Sequence, residues 1–346
     1  MIFVAVTGQR DNVGDSLLRR PMLAATAVGL PRHVLVGRDA MDYSTNLGLS
    51  SKDVVYTSRG RWISALALSA LRRRSALILN SGEVVVDAKF LADRLLTLPI
   101  IALIRARKGQ VIQTGIGIRN PSRRGPVVLR WFARAFTLMT WRDSQSLATA
   151  QAGELAPDWA LMEGSDLETL SARFRLGDSE PRLVAVSIRG DHAPPTEAWL
   201  TQFRQALRSL NAEAVVVSQV RRDNDRAAWL ARALECELVD WPDDISHHRQ
   251  ESRVRAVYRR CAWAASDRLH VLIAAYTEGC VPLNSVPDSG GKVARTLAAF
   301  GTSTRNAEAA EQQLDDDRAT LISRLAEARE RLEEITAEIR SGTPAA

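Results

Sequence analysis

The sequence predicts an α/β chain of two doubly wound halves followed by a helical extension. Three observations predict it. Short strand-like runs of Val, Ile, Leu and Ala alternate with helix-like segments, the order that builds a parallel sheet covered on both faces. The alternation stops over the polar residues 164–181, which lack strand signals, and then resumes. After Gly301 the apolar residues recur at spacings of four and three. The expected division is a first domain at 1–163, a linker at 164–181, a second domain at 182–303 and a tail at 304–346.

In order, residues 2–6 read as a buried strand, 8–15 as a polar loop, and a helix starts at Ser16. Residues 33–36 and 53–56 read as short strands, 62–73 as a helix and 76–79 as a strand. Residues 90–106 look helical but broken near Pro99, because proline removes a backbone donor. A strand at 110–113, a polar loop at 119–125 and a helix at 127–138 follow. The second half reads as strands at 183–188, 214–218 and 238–239, each followed by a helix, at 197–210, 223–234 and 251–260. In the tail, Leu321, Leu325, Ala328, Leu332, Ile335 and Ile339 form a seam with Glu and Arg between its members. Such a helix either docks on its own domain or pairs with another copy, making a homo-oligomer through residues 314–339.

Composition narrows the class. Of 346 residues, 46% are apolar and 25% charged, as in soluble globular proteins. The longest apolar run, 95–104 between Arg94 and Arg105, is shorter than the ~20 residues that span a bilayer. The chain starts on a strand-like segment, so no signal peptide is expected. Cys236, Cys261 and Cys280 lack metal or redox spacing, which fits a cytoplasmic protein. The net charge is +6, yet only Lys52, Lys89, Lys108 and Lys292 are lysines, a bias typical of genome composition. Few aromatics interleave the basic residues, so no nucleic-acid partner is expected. A basic surface could hold the protein at the inner membrane face.

Residues 264–283 carry the strongest chemical signal. Ser266, Asp267, Arg268 and His270 precede an apolar helical run, and a helix start favours anions. Arg268 offers a planar fork for carboxylate or phosphate, and His270 a proton near neutral pH. The same residues also make an ordinary capped helix start. Asn12-Val13-Gly14-Asp15 follows the first strand, where open sheets bind ligands. Gly14 permits close backbone approach, and Asp15 is either a proton acceptor or a helix cap. Gly115-Ile116-Gly117 lacks the third glycine of a dinucleotide fingerprint, leaving a glycine turn beside the cleft. Arg142 and Arg189 are expected at strand ends pointing toward that cleft. Gly290-Gly291-Lys292 opens a helix, as a phosphate site or as a surface loop. Asp223-Asn224-Asp225 precedes a helix and reads as a cap. Asp243, Asp244, His247 and His248 are metal-ligating types, but adjacent histidines face apart; no metal is expected.

Taken together, Ser266-Asp267-Arg268-Leu269-His270 and an ordered set of shorter matches resemble the polysaccharide pyruvyl transferase family. The set comprises Asn12-Val13-Gly14-Asp15, Gln113-Thr114-Gly115-Ile116-Gly117, Trp141-Arg142-Asp143-Ser144-Gln145-Ser146, Pro157-Asp158, Val186-Ser187-Ile188-Arg189, Ser218-Gln219 and Lys292. It spans roughly residues 1–300. Where that family has a triple glycine, this chain reads Asn80-Ser81-Gly82-Glu83. The resemblance implies two Rossmann-like domains facing a cleft, the glycosyltransferase-B arrangement. It implies transfer of a pyruvyl group from phosphoenolpyruvate to a sugar diol as a cyclic ketal, in cell-surface polysaccharide or glycolipid synthesis. No cofactor is needed beyond that donor, and the acceptor is a saccharide, either free or lipid-linked. In that scheme His270 is the general acid and Asp15 assists a sugar hydroxyl. Arg268, Arg189, Lys292 and Arg142 hold the anionic donor, with Ser266, Gly14, Gly115 and Gly117 lining the site. The same features suit a glycosyltransferase using a nucleotide sugar. A non-catalytic protein assembled through its C-terminal helix is the third expectation.

Overall fold

The computed structural model describes residues 1–26, 29–38, 41–119, 125–177, 181–286 and 291–342. Gly290, most of the 119–125 loop, residues 178–180 of the expected linker and the last four of the tail lie outside them. The chain divides into two compact units. One comprises the described residues of Met1–Arg10, Leu18–Trp159 and Glu330–Ala346; the other, those of Asp11–Leu17 and Ala160–Arg329.

The first unit opens with β1 (Ile2–Ala5) and takes most of α1 (Val13–Ala25). Then come β2 (Arg32–Leu35), α2 (Met41–Thr45), β3 (Val54–Tyr56), α3 (Arg59–Arg72), β4 (Ala76–Leu79), β5 (Gly82–Val85) and α4 (Ala88–Ala106). It continues with β6 (Gln110–Arg119), α5 (Gly125–Ala133), β7 (Leu138–Trp141), α6 (Ser144–Ala150) and β8 (Glu154–Leu155). The strands form a parallel sheet in the order β3-β2-β1-β4-β6-β7-β8, with β5 extending the pairing of β6. One core joins Phe3, Leu77 and Val111 of the sheet to Trp62 and Leu66 of α3, Ile101 and Ile104 of α4, and Leu129 of α5. Those three helices therefore share one face of the sheet, as right-handed crossovers in this strand order require.

Three expectations are corrected here. Helix α4 is continuous through Pro99. Pro99 is exposed, so water can serve the carbonyl one turn earlier that loses its partner. Strand β6 runs on to Arg119 instead of ending at Gln113, because its register shifts between Gln113 and Ile116 and Gly115 adopts φ 65° there. The expected helix at 127–138 ends at Ala133, and Leu138 begins a buried strand.

The second unit holds α7 (Leu167–Leu176), β9 (Arg182–Ser187), α8 (Glu197–Ser209), β10 (Ala212–Val217), α9 (Asn224–Leu234) and β11 (Glu237–Val239). It continues with α10 (His247–Tyr258), β12 (Trp263–Ser266), α11 (Leu269–Tyr276), β13 (Val281–Pro282), α12 (Lys292–Ala298), α13 (Ala307–Ala310) and the first part of α14 (Leu314–Gly342). Helix α7 occupies most of the expected linker, capped by Asp166. The sheet is parallel in the order β11-β10-β9-β12-β13. Helices α8 and α9 cover one face through Leu200, Phe203, Leu207, Ala227 and Leu230, packed on Val184, Val186 and Val216.

The tail seam is occupied by its own chain, which corrects the expected oligomer contact. Leu321, Leu325, Ala328, Leu332, Ile335 and Ile339 are each 3% exposed or less. Leu321, Leu325 and Ala328 belong to the second unit, and Leu332, Ile335 and Ile339 to the first. Arg329 donates to the carbonyls of Leu161, Glu163 and Ser165, and Arg340 to that of Ala25. Among the described residues no helix is long and apolar enough to cross a membrane.

Candidate functional site

In the second sheet the chain passes from β9 to β10 on one side and returns to β12 on the other. Such a reversal opens a crevice outside the carboxyl ends of the two strands, where open sheets bind ligands. Ser187 of β9 pairs with Ser266 of β12, so Arg189-Gly190 and Asp267-Arg268 emerge side by side.

These residues are tied into one charged cluster. The Arg189 N–H donates to Asp267 Oδ1 at 3.0 Å, and its guanidinium grips Asp191 through Nε at 2.8 Å and Nη2 at 2.6 Å. Arg268 holds Asp223 the same way, through Nε at 2.5 Å and Nη2 at 2.7 Å. Asp223 Oδ1 also accepts the Gly190 N–H at 2.9 Å, and Ser266 Oγ accepts the Arg268 N–H at 3.0 Å. His192 Nδ1 lies 3.7 Å from Asp267 Oδ2. The Arg189 guanidinium holds the Asp191 carboxyl well below the usual carboxylate range. Burial pushes the Asp267 carboxyl up, against the opposing pull of the Arg189 N–H and of Arg268.

The segment Asp11–Leu17, carrying the Asn-Val-Gly-Asp motif, belongs to this unit although it follows β1 in sequence. It is laid against the strand ends by backbone bonds: Val13 N–H to Gln219 O at 3.1 Å and Arg221 N–H to Asp11 O at 2.8 Å. The Gly14 N–H is turned onto Asn12 Oδ1 at 3.1 Å. A Cβ on Gly14 would sit 2.7 Å from His270 Cβ and 3.0 Å from its Nδ1, so only glycine lets the first turn of α1 meet this ring. Asp15 lies in that turn. Ser16 Oγ is 2.9 Å from Nε2 of the buried His247, whose ring packs edge-on against Trp241. His247 is thus a packed histidine, and among the described residues no cluster of His, Cys, Asp and Glu could hold a metal ion.

Gly14, Asp15, Arg189, Ser266, Arg268 and His270 thus share the second unit, around the ends of β9 and β12. Lys292 opens the seven-residue α12, which packs against α11 and is preceded by Gly291 at φ 62°. The other expected residues lie in the first unit and are engaged differently. Arg142 does not point outward: it is 2% exposed and pairs through Nη1 with the buried Asp158 at 2.9 Å. Gly115 and Gly117 form no ligand turn but sit within β6. A Cβ on Gly115 would meet Trp159 at 2.8 Å, and one on Gly117 the Arg142 Nε at 2.9 Å. Both glycines make room for side chains. The Asn80-Ser81-Gly82 loop is also ordered, Asn80 donating to Thr7 O and accepting from Arg19 Nε.

Sequence reasoning assigned Asp223 to a helix cap and did not foresee that it anchors Arg268. The signal was an acid in the turn after β10, which lies beside β9, the neighbour of the strand that Arg268 follows; it becomes legible only with the strand order. Asp267 and Gln219 were likewise readable as types but not as partners.

No family model and no curated protein sequence matches the chain. Solved structures do. MnaA of S. aureus, solved with UDP, is 12% identical, with a TM-score of 0.53 over 94% of this chain and 90% of that one. The fold is glycosyltransferase-B-like. The UDP-GlcNAc 2-epimerase of Neisseria meningitidis, bound to UDP-GlcNAc, is 9% identical with a TM-score of 0.53, covering 100% of this chain and 95% of its own. HepE of Anabaena, in complex with UDP and glucose, is 12% identical with a TM-score of 0.51 over 99% and 97%.

Proposed function

We propose that the chain is a glycosyltransferase-B-type enzyme acting on a nucleotide sugar, with its diphosphate at the ends of β9 and β12. The observation that carries this reading is the packing of Gly14 against His270 beside the Arg268–Asp223 pair. It sets an ionisable ring, a fixed guanidinium and a helix start at one strand-order reversal. Three structures of the same fold hold UDP or UDP-GlcNAc, which favours a uridine diphosphate sugar.

Cleavage of a sugar–phosphate bond puts charge on the departing diphosphate. Cationic donors already held in place stabilise that charge without reorganising. Asp223 and Asp191 do this holding for Arg268 and Arg189. His270 supplies a proton donor to the leaving oxygen, and Asp15 a base toward an acceptor hydroxyl.

Pyruvyl transfer from phosphoenolpyruvate to a saccharide is the second reading. It is favoured by the meeting of Asn12-Val13-Gly14-Asp15 with Ser266-Asp267-Arg268-Leu269-His270, the two motifs that carry that resemblance. Against it, the three solved structures of this fold named above hold uridine ligands.

Calorimetric titration with UDP, UDP-N-acetylglucosamine and phosphoenolpyruvate separates the readings. The expected result is binding of the uridine ligands, weakened at least tenfold in Arg268→Lys. His270→Ala should lower turnover about 10²–10⁴-fold with folding intact. Binding of phosphoenolpyruvate alone would replace the first reading by the second, and binding of neither would remove both.

A further inference from the structure

The first unit carries a face unlike the rest of the molecule. Helices α3, α4 and α5 lie on one side of its sheet, their inner residues joined in one core. Their outer residues are large and apolar: Leu68 and Leu71 on α3, Leu95 and Leu96 on α4, Val127 and Trp131 on α5. Leu96 is 79% exposed and Trp131 60%. On α4 the exposed stripe is continuous, with Ala92 one turn before the leucines, Pro99 one turn after them and Ala102 a turn beyond that. An ordinary surface helix places charges there.

The charges are also one-sided. Across residues 59–74, 88–108 and 125–134 there are twelve Arg and Lys and one acid, Asp93, which is paired with Arg59. The whole chain has 46 basic and 40 acidic residues, so beyond these three helices acids outnumber bases. Exposed Arg61, Arg72, Arg73, Arg74, Lys89 and Arg105 flank the leucines.

We propose that this face docks on the surface of an anionic bilayer, Leu68, Leu71, Leu95, Leu96 and Trp131 entering the headgroup boundary while the Arg and Lys side chains meet lipid phosphates. Exposed leucine and tryptophan amid arginine and lysine is the pairing that interfacial binding uses: apolar burial and counter-charge together. A protein partner could match the apolar residues, but the uniform positive sign singles out a uniformly negative surface. The inference does not depend on which donor the second unit takes.

The test is co-flotation of the full chain with vesicles of phosphatidylcholine containing 30% phosphatidylglycerol, and with phosphatidylcholine alone, at low and high salt. The expected result is recovery with the anionic vesicles, at least tenfold lower in high salt or without the anionic lipid. Leu96→Ser with Trp131→Ser should lower it at least tenfold, with the thermal midpoint unchanged because both side chains are exposed. Arg72→Gln with Lys89→Gln should weaken binding without abolishing it. Equal recovery on both vesicle types, undiminished binding by Leu96→Ser with Trp131→Ser, or no flotation at all would overturn the proposal. So would a dimer in sedimentation that this double variant dissociates, in the absence of vesicle binding; it would assign the face to a second copy of the chain.

Discussion

Burial raises the Asp267 carboxyl even though the Arg189 N–H, Arg268 and His192 all favour its charge. A carboxyl raised on folding binds its proton more tightly in the native state, so this group's contribution to stability falls as pH climbs from its unfolded to its folded pKa. Asp267→Asn keeps an oxygen for the Arg189 N–H and removes that cost. Its thermal midpoint at pH 7 should equal or exceed the parent's. The gap should shrink on acidification and close only well below the ordinary Asp value of 3.8, where the folded and unfolded parent are both protonated; a lower midpoint at pH 7 would show that the charge is needed for pairing. Asp223 matters through its pairing. It is almost fully buried and answers a guanidinium, so Asp223→Ala strands Arg268 and should cost about 3–5 kcal/mol in denaturant titration. Such pairs defeat reading by eye, because Asp223 and Arg268 are 45 residues apart. What the residues do show is that Arg, His and Gly types gather at strand ends. Gly14 was legible as a place of close approach, but that the approaching group is His270 was not.

Helix α14 shows how far periodicity reaches. Its seam was visible as spacings of four and three, but spacing names only a face and not what covers it. Here the cover is the chain itself, in both units. Leu332→Ala should therefore destabilise the monomer by about 2–5 kcal/mol, independent of protein concentration. A concentration-dependent midpoint would instead point to pairing between copies. The full length of strand β6 and the continuity of helix α4 escaped reading for a related reason. A bulge at Gly115 and a proline within α4 interrupt local patterns, while tertiary packing carries the elements through. Conversely, β1, β4, β9 and β10 were readable because their burial in the sheet leaves short, nearly pure apolar runs.

At the scale of the whole molecule, the alternation of strands and helices gave away two α/β units, yet neither is one piece of sequence. The first unit needs residues from 330 on, and the second needs Asp11–Leu17. Residues 1–159 produced alone lack the part of α14 whose Leu332, Ile335 and Ile339 are buried in this unit. They should be recovered mainly in aggregates, while co-production with residues 160–346 restores soluble material; a soluble, cooperatively melting 1–159 fragment would contradict this. The same arrangement sets a timetable at the ribosome. At about 5–20 residues per second, roughly 10–35 s separate the translation of Trp159 from that of Glu330, and throughout that interval the nascent first unit has an open apolar groove. A cell making this protein must protect that groove, so holdase chaperones should have their longest engagement with the half of the chain that is made first.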